Sequence, residues 1–358
     1  MARYPGTHTT GRGGFMPRTK RGNAPSIRDV AAVANVSVPT MSRYLKDPER
    51  VSEKKREAIA AAIEKLNYRP NPIARALALD MSESITVMSA DTRLYGRTQT
   101  IFGIERKAQE IGYPITICVL DPRGGERMLS NVRSCLDRSP AGVILIDFDR
   151  LTDSVVSRIP ASTPMVIIGG PRHERRAQIH LCEYDSAYAM TRRLLELGHE
   201  TVHYVSVPAD VDARADGWRM ALSDAKVPAP APIATTWDAE DAIEIGRRLG
   251  EDPSVTAIFA GNDEVAMGLM RGLTLAGRRV PDDVSVAGFD DHTLSKVWNP
   301  PLTTVRQRFS EAGEHAVALL KEQIDDVVND CSRGEAWTVF DRIAGDLVER
   351  ESTAPRRS

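Results

Sequence analysis

The spacing of hydrophobic residues changes once along the chain, close to residue 83. Before that point apolar residues recur every three or four positions, a spacing that predicts short amphipathic helices. After it, short runs rich in Val, Ile and Leu alternate with longer amphipathic stretches, which predicts strands alternating with helices. The pattern therefore predicts a small all-α N-terminal part followed by a larger α/β body.

Two short helices joined by a tight turn are predicted within residues 26 to 46. Ser26 can accept a hydrogen bond at a helix N-terminus, and Asp29, three residues later, completes a capping box. Asn35 and Val36 interrupt the apolar stripe of this first helix. Ser37 then offers a second N-cap. Pro39 is compatible with a helix that starts there, because proline is tolerated in the first turn. The arrangement is that of a helix-turn-helix.

The second of these helices has one apolar and one polar side. Val38, Met41 and Leu45 are expected to face inward. The outer positions could enter a DNA major groove, and they are Pro39, Thr40, Ser42, Arg43 and Lys46. Arg43 is the best candidate base reader among them. The alternative is a helical hairpin in an ordinary protein core, since helix-turn-helix patterns taken alone are not specific.

A third helix and a short fourth one follow. Val51 and Ser52 open the third, and Asn71 with Pro72 is an N-cap followed by proline at the first helical position. The run from residue 73 to 79 gives only about two turns, which is too short to be stable alone in water. This fourth helix is therefore expected to need a partner in order to fold.

Several motifs in this region together resemble the lactose-repressor (LacI/GalR) family of bacterial transcription regulators. In order, they are Asp29-Val30-Ala31, Val36-Ser37, Thr40-Met41-Ser42-Arg43, Val51-Ser52, Leu66-Asn67-Tyr68 and Pro70-Asn71 with Ala74, Leu77 and Ala78. The resemblance implies a dimer whose recognition helices read two half-sites of a roughly palindromic operator. It also implies paired hinge helices in the minor groove, where Leu77 would wedge open a base step.

The DNA contacts expected on this basis come from the headpiece and the hinge. They are Ser26, Ser37, Val38, Pro39, Thr40, Ser42, Arg43, Lys46, Asn71, Ala74, Leu77 and Ala78. Relatives vary most at the positions of Val38 and Pro39, which would help to set the operator that is read. The domain boundaries expected are a flexible basic tail over 1–25, the headpiece over 26–70, a hinge helix over 71–82 and an effector-binding and dimerisation domain over 83–354.

Charge is distributed unevenly between these parts. Residues 1 to 80 carry fifteen Lys and Arg against seven Asp and Glu, a net of +8, while the remaining thirty-two and forty-two give −10. The positive part can hold a polyanion through phosphate contacts. The tail could add loose phosphate contacts or do nothing.

Cysteines and histidines give no sign of a metal, disulfide or catalytic site. Cys118, Cys135, Cys182 and Cys331 are far apart, without a C-x-x-C pair. No nucleophile elbow, P-loop or H-E-x-x-H occurs, and no apolar run could span a membrane. We therefore expect a cytoplasmic protein with reduced thiols that is not an enzyme and has no cofactor and no membrane partner.

The body alternates predicted strands with predicted helices. Strands are expected at 85–88, 114–119, 142–146, 165–168, 201–205, 257–259 and 284–286. Helices between them include 98–111, 186–197, 218–224, 241–249 and 263–276. So many units argue for two parallel sheets with helices on both faces, and ligands of such folds lie at the carboxyl ends of the strands.

The resemblance continues through the body to about residue 354, where its motifs include Asn262-Asp263, Gly288-Phe289-Asp290-Asp291 and Pro300 to Val305. It implies two similar α/β lobes, like those of periplasmic sugar-binding proteins, with a small effector in the cleft between them. The implied effector contacts are Asp91, Tyr95, Arg214, Trp237, Asn262 and Asp290. Such groups suit a sugar or related polyhydroxylated ligand. An Asp or Asn after a strand can equally be a helix cap or turn former.

The chain departs from its family at two positions near the expected cleft. Many relatives carry an acidic or aromatic residue where this chain has Gly169-Gly170, and the usual Asp-Asn is replaced by Cys182-Glu183. Both departures leave the identity of the effector open. Trp218 follows Gly217 at a helix start and is expected to pack inside the second lobe.

Two functions remain to be weighed. One is a sequence-specific regulator, most often a repressor, that responds to a small effector as inducer or corepressor. The other is a periplasmic binding protein or an enzyme for sugars or nucleotides. A transport receptor needs a signal peptide and an enzyme needs a catalytic constellation, and neither pattern is present. No heptad run follows residue 350, which favours a dimer over a zipper-joined tetramer.

Overall fold

The computed structural model describes residues 25–46, 48–68, 84–121, 124–148, 152–208, 213–329 and 337–357. The chain divides into two compact units between Leu79 and Asp80. The hinge predicted over 71–82, together with its candidate contacts Asn71, Ala74, Leu77 and Ala78, lies outside the described residues. No helix of the described ranges is long and apolar enough to cross a membrane.

The described part of the N-terminal unit contains three α-helices. They are α1 (Ile27–Val33), α2 (Val38–Lys46) and α3 (Glu53–Leu66), with a 3-10 turn at Pro48–Arg50. The turn between α1 and α2 places Asn35 at a φ of 51°, a left-handed conformation that Asn tolerates better than most residues. Val30, Met41 and Ile59, one from each helix, are completely buried together. The predicted helix-turn-helix is confirmed.

The first lobe of the body contains a parallel sheet of six strands in the order β11-β5-β4-β3-β1-β2. Its strands are β1 (Ile85–Ser89), β2 (Ile115–Val119), β3 (Gly142–Asp147), β4 (Met165–Gly169), β5 (Ala177–Leu181) and β11 (Phe340–Ile343). Its helices are α4 (Tyr95–Glu110), α5 (Gly125–Leu136), α6 (Thr152–Val156) and α11 (Phe309–Val328).

Alternation along these strands divides the core of the first lobe between two faces. Ile144 and Ile146 of β3 pack in the cluster that contains residues of α4 and α11. Val143 and Leu145 of the same strand pack in the cluster with residues of α5 and α6. Because side chains of a strand point to alternate faces, a continuous apolar run is required where both faces are covered.

The second lobe contains a parallel sheet of four strands in the order β7-β6-β8-β9. Its strands are β6 (His203–Ser206), β7 (Ile233–Ala234), β8 (Ala257–Ala260) and β9 (Ser285–Ala287). Its helices are α7 (Glu183–Glu196), α8 (Ala213–Asp224), α9 (Ala239–Glu251) and α10 (Asp263–Leu275). Trp218 is fully buried on α8, where it stacks on Tyr204 at 5.4 Å and donates to the Val202 carbonyl at 2.9 Å, so its predicted packing is confirmed.

The chain passes between the lobes three times. It leaves the first lobe between β5 and α7, returns through β10 (Thr304–Arg306), and passes back along β12 (Asp346–Val348). Strands β10 and β12 form an antiparallel pair in which Val305 is opposite Leu347. The architecture of two α/β lobes joined by crossover strands is thus the predicted one.

All seven predicted strands of the body occur, each within about two residues of its expected limits. The hydrophobic pattern did not predict the strands β5, β7, β10 and β11 or the long helix α11. Strand β7 has only two residues, and β10 and β11 carry charged or polar side chains among their few apolar ones. Hydrophobic periodicity is weak in strands this short, whereas the 20 residues of α11 are long enough to have been recognised from it.

Candidate effector and DNA-binding sites

Helix α2 presents a polar outer face. Pro39, Ser42 and Arg43 are exposed, while Met41 is completely buried against α1 and α3. Val38 was expected to face inward, but 39% of it is exposed, because the first residue of the helix lies beyond the edge of the small core. An exposed Val38 beside Pro39 is compatible with its other expected role, a DNA contact. Lys46 is the last residue of the helix.

Capping hydrogen bonds fix the starts of both helices. The Ser26 hydroxyl accepts from the Asp29 amide at 3.4 Å, and the Asp29 carboxylate accepts from the Ser26 amide at 2.7 Å. The pKa of Asp29 is lowered by the hydrogen bonds that its carboxylate accepts from the amide and the hydroxyl of Ser26. At α2, the Ser37 hydroxyl accepts from the Thr40 amide at 3.3 Å and lies 2.8 Å from the Thr40 hydroxyl. Ser26, Ser37 and Thr40 therefore all have a structural role that is independent of DNA.

A cavity of about 230 Å³ lies where the carboxyl ends of both sheets meet. Such a volume accommodates one small organic molecule. The first lobe contributes Leu94, Tyr95, Gly96, Arg97, Asp147, Phe148, Gly169, Gly170, Pro171, His180, Leu181 and Phe309, and the second contributes Glu183, Val207, Ala213, Arg214, Trp237, Asn262, Glu264 and Asp290. The cavity is thus a cleft between two lobes of one unit.

Five of the six predicted effector contacts line this cleft, namely Tyr95, Arg214, Trp237, Asn262 and Asp290. Asp91 does not. Its carboxylate accepts from the Arg93 guanidinium at 3.0 Å and from the Arg93 amide at 2.7 Å, and the side-chain hydrogen bond with Arg93 lowers its pKa against the effect of partial burial. In this structure Asp91 shapes the turn after β1. This turn-forming role is the alternative to ligand binding that was noted for an Asp or Asn after a strand.

Arg214 is a buried cation of the cleft. Its Nη2 donates to Oε1 of Glu183 at 2.7 Å and lies 3.9 Å from Oδ1 of Asp290, and its Nη1 donates to the Gly261 carbonyl. The guanidinium also lies 4.3 Å from the centre of the Phe289 ring. Burial alone would lower the pKa of Arg214, but the carboxylates of Glu183 and Asp290 raise it, so the side chain stays charged.

Asp290 has a buried oxygen that lacks a hydrogen bond. Among the residues that the structure describes, no donor reaches Oδ1, which is buried beside Arg214 without hydrogen-bonding to it. Burial raises the pKa of Asp290 well above its ordinary value, an effect that Arg214 opposes. A buried polar atom without a partner is costly in a native protein. The Asp290 carboxyl group is therefore ready to accept from, or donate to, a ligand.

Aromatic rings cover the first-lobe side of the cleft. The Phe309 ring lies 6.4 Å from that of Tyr95 and 6.1 Å from that of Phe148, and the Arg97 guanidinium lies 5.9 Å from the Phe148 ring. A Cβ at Gly169, whose φ is 80°, would lie 2.7 Å from the Phe148 ring. The side chain absent at Gly169 thus leaves the space that Phe148 occupies.

The buried carboxylate of Asp263 orders the segment that carries Asp290. It accepts from the hydroxyls of Thr304 at 2.5 Å and Ser295 at 2.7 Å and from the His292 amide at 2.6 Å. Burial nevertheless raises the pKa of Asp263 to about 7, because the three donors only partly replace the lost hydration. Beside it, Asn262 caps α10 by accepting from the Val265 amide at 2.8 Å.

Several residues that line the cleft were not predicted, namely Arg97, Asp147, Phe148, His180, Glu183, Glu264 and Phe309. Asp147 and Phe148 end a buried strand, so the rule that ligands lie at the carboxyl ends of parallel strands could have found them. Glu183 lies at a position already recognised as a departure from the family. Arg97 and Phe309 lie on helices and reach the cleft only through the packing of α4 against α11, which no local signal in the sequence reports.

Comparison with known proteins identifies both units. Residues 26–71 match the family model for bacterial regulatory proteins of the lacI family, and residues 191–353 match a periplasmic binding protein-like domain. The HTH-type transcriptional repressor PurR of Vibrio atlanticus is 30% identical over 312 residues, which are 84% of this chain and 92% of that protein. PurR of Haemophilus influenzae is 29% identical over 310 residues, 84% and 91% of the two chains.

Solved structures give the same result. The lac repressor dimer bound to operator and the anti-inducer ONPF has a TM-score of 0.80 at 27% identity, covering 93% of this chain and all of that one. A CelR–cellobiose complex has a TM-score of 0.67 at 25% identity, covering 92% and 99%. A LacI family regulator from Enterococcus faecium with bound ribose has 0.63 at 26% identity, covering 76% and 100%.

The raised pKa of Asp263 predicts a pH-dependent stability. The folded state binds a proton there up to about pH 7, whereas the unfolded chain loses it near the ordinary value of 3.8. The contribution of this group to the free energy of unfolding therefore falls by roughly 2 to 4 kcal/mol as the pH rises from about 4 to 7. Above pH 7 this contribution is constant. We expect Asp263→Asn, which is neutral throughout, to remove this part of the fall in urea unfolding at pH 5 to 8. Asp216→Asn, on the surface of α8, is the control. Parallel pH curves for wild type and Asp263→Asn would contradict the assignment.

Proposed function

Since the chain belongs to the lacI family of bacterial regulatory proteins, we propose that it is a repressor whose operator affinity is set by a sugar or related polyhydroxylated effector bound between its two lobes. The protein is a DNA-binding transcription regulator and not an enzyme. A transcription regulator must reach the DNA of the cell, so we propose a cytoplasmic location.

The orphan oxygen of Asp290 is the observation that carries the effector proposal. A hydroxyl that donates to this oxygen would supply the hydrogen bond that it lacks among the described residues. Hydrogen bonds to charged groups contribute roughly 1.5 to 3 kcal/mol, more than those between neutral groups. Asp290, Arg214 and Glu264 together offer acceptors and donors to several hydroxyls of one ligand.

The aromatic wall supports a ring-shaped ligand. Tyr95, Phe148 and Phe309 on the first lobe and Trp237 on the second present apolar surface to the cleft, which suits the C–H face of a sugar ring. Relatives of known structure hold cellobiose or ribose, while the curated relatives are PurR repressors. Nucleobases and nucleosides therefore belong in the same test panel as sugars, and either inducer or corepressor action fits the proposal.

We assign operator reading to the outer face of α2. Arg43 is exposed there, and an arginine in a major groove can pair with the O6 and N7 of guanine through two hydrogen bonds. Val38, Pro39 and Ser42 are the exposed neighbours that would complete the reading surface. Effector-dependent closure of the lobes would change operator affinity by about 5 to 150-fold, for a coupling free energy of roughly 1 to 3 kcal/mol.

A homodimer is supported by an apolar patch on the first lobe. Strand β2 is the edge strand of its sheet, and Ile117 and Val119 of β2 are 45% and 51% exposed. Phe102 of α4 is 53% exposed. Exposed apolar side chains on a sheet edge invite pairing with another chain. Two copies joined through this patch could read two half-sites of a palindromic operator.

Replacing Arg43 tests operator reading. We expect Arg43→Ala to weaken operator binding by about 1 to 3 kcal/mol, because bidentate contact with a guanine is lost. Affinity for unrelated DNA should change much less. Fluorescence anisotropy at one salt concentration measures both, and Arg192→Ala on the surface of α7 is the control for lost positive charge. Unchanged operator affinity would exclude Arg43 as a base reader.

Replacing Asp290 tests the effector site. Asp290→Asn keeps the shape of the side chain but replaces the carboxyl group with an amide, which is a weaker hydrogen-bond partner for the ligand, so we expect the effector concentration for half-maximal response to rise roughly tenfold or more. The response is measured as the change in operator affinity during an effector titration. Asp252→Asn, on the surface near the end of α9, should respond like wild type. If Asp290→Asn also responds like wild type, the effector binds elsewhere.

Replacing Ile117 tests the dimer. A carboxylate in a buried apolar interface is strongly unfavourable, so we expect Ile117→Asp to sediment as a monomer and to lose most of its affinity for a two-half-site operator. Val339→Asp is the matched control, because Val339 is 40% exposed beside the opposite edge strand, β11. A dimeric Ile117→Asp protein would require a different interface.

A further inference from the structure

Glu183 occupies an unusual position between the lobes. It is the first residue of α7, directly after the chain leaves β5 of the first lobe, and it lines the cleft with 28% of its side chain exposed. Its Oε1 accepts from Arg214 at 2.7 Å. The carboxylate that neutralises the buried guanidinium of Arg214 is therefore supplied by the protein itself.

Glu183 already offsets the charge of Arg214. The guanidinium lies 2.7 Å from the carboxylate of Glu183 and 3.9 Å from the carboxyl group of Asp290. The wider lining contains four acidic side chains, from Asp147, Glu183, Glu264 and Asp290, against the two guanidinium groups of Arg97 and Arg214. Burial raises the pKa of Asp290 and of Glu264, so these two carboxyl groups add less negative charge than their number suggests. A ligand that carried its own carboxylate or phosphate to Arg214 would bring it beside the Glu183 carboxylate, and juxtaposed like charges are costly.

Glu183 also occupies the N-terminal end of a helix. Helix α7 has 14 residues, and the N-terminus of such a helix attracts anions through its unpaired amides and its dipole. Because Glu183 and Asp185 lie in the first turn, carboxylates of the chain already meet this positive end. Two features of the cleft could otherwise bind an anion, the guanidinium of Arg214 and the start of α7. Glu183 pairs with the guanidinium and lies in the first turn of the helix.

We infer that Glu183 is a specificity-determining residue that makes the cleft select neutral effectors and reject anionic ones such as sugar acids and sugar phosphates. The inference rests on the proposed function, since it concerns the same cleft. Glu183 acts through Arg214, because the Oε1 atom of Glu183 already accepts from that guanidinium. Asp290, by contrast, keeps an oxygen for the ligand. Without the negative charge of Glu183, Arg214 could pair with a carboxylate of the ligand instead.

The test compares neutral compounds with the acids that match them in shape. Galactose is paired with galacturonate and glycerol with glycerate, each titrated into full-length protein at equal sodium concentration. Binding is followed by the melting temperature and by tryptophan fluorescence, since Trp237 lines the cleft. The proteins are wild type, Glu183→Gln, Glu183→Asp, which keeps the charge, and Asp185→Asn. Asp185 is on the same helical turn but pairs with Arg342 at 2.6 Å, and it does not line the cleft.

We expect the acids to bind Glu183→Gln roughly tenfold or more tightly than wild type, because a like charge beside a bound anion costs more than the free energy of a tenfold change. The Glu183→Asp and Asp185→Asn proteins should reject the acids as wild type does. The ratio of acid to neutral binding is the decisive quantity, since a merely structural role of Glu183 would weaken both compounds together.

Two results would overturn the inference. They are acid binding by Glu183→Gln that is no tighter than by wild type, or an equal gain by Asp185→Asn. Circular dichroism and a cooperative melting curve check folding, and Glu183→Ala provides a second uncharged variant if Glu183→Gln does not fold. Operator binding is measured on the same wild-type sample. Its absence would refute the proposed regulator and leave the comparison of acid with neutral ligand intact.

Discussion

The buried carboxylate of Asp263 joins the parts of the second lobe on which the cleft depends. It connects the start of α10 to the crossover strand β10 through Thr304 and to the turn after β9 through Ser295 and the His292 amide. Gly288 is required beside it, because a Cβ there would lie 2.2 Å from the Asp263 carboxylate. This turn carries Asp290 into the cleft, so a group that never contacts solvent sets the geometry of the group that faces the ligand.

Asp291, the residue after Asp290, holds the turn after β9 in place through a second set of contacts. The Asp291 carboxylate accepts from Arg306 at 2.7 Å and from Arg350 at 2.5 Å. Arg306 is the last residue of the crossover strand β10, and Arg350 lies two residues after the crossover strand β12. Tyr95 of the first lobe donates to the Asp291 carbonyl at 3.3 Å, and its ring lies 4.6 Å from that of His292. The segment from Asp290 to His292 therefore contacts the ligand cleft, both crossovers and the opposite lobe. A ligand that moves Asp290 therefore acts on a segment that contacts both lobes, and through these contacts it can change the relative position of the lobes.

Much of this architecture follows from local patterns in the sequence. Continuous apolar runs such as Val143 to Ile146 must be strands buried on both faces. The family resemblance implied Asn262 and Asp290 as effector contacts, and both agree with the rule that ligands lie at the carboxyl ends of parallel strands. The resemblance also implied Asp91, but the carboxylate of Asp91 pairs with its neighbour Arg93. A strand-end position indicates location, but not whether the side chain points into the cleft.

What the sequence could not reveal depends on contacts between distant segments. Phe309 reaches the cleft because α11 packs on α4, and Phe148 fills the space beside Gly169 only because β3 and β4 pair with Asp147 opposite Gly169. Glu183 was visible as a departure, but its pairing with Arg214, 31 residues away, required the fold. Val38 was expected inside because helical spacing alone does not show that the first turn of α2 extends past the small headpiece core.

The central claim, that a small effector in the cleft controls operator binding, is tested most directly by a footprint on the DNA that flanks the gene for this protein. The purified protein is added at one salt concentration, with and without a panel of neutral sugars and nucleosides. The account predicts a footprint on an imperfect palindrome whose apparent affinity changes about 5 to 150-fold with one member of the panel. A chain that binds a sugar tightly but leaves no footprint, or a footprint that no compound shifts, would contradict it.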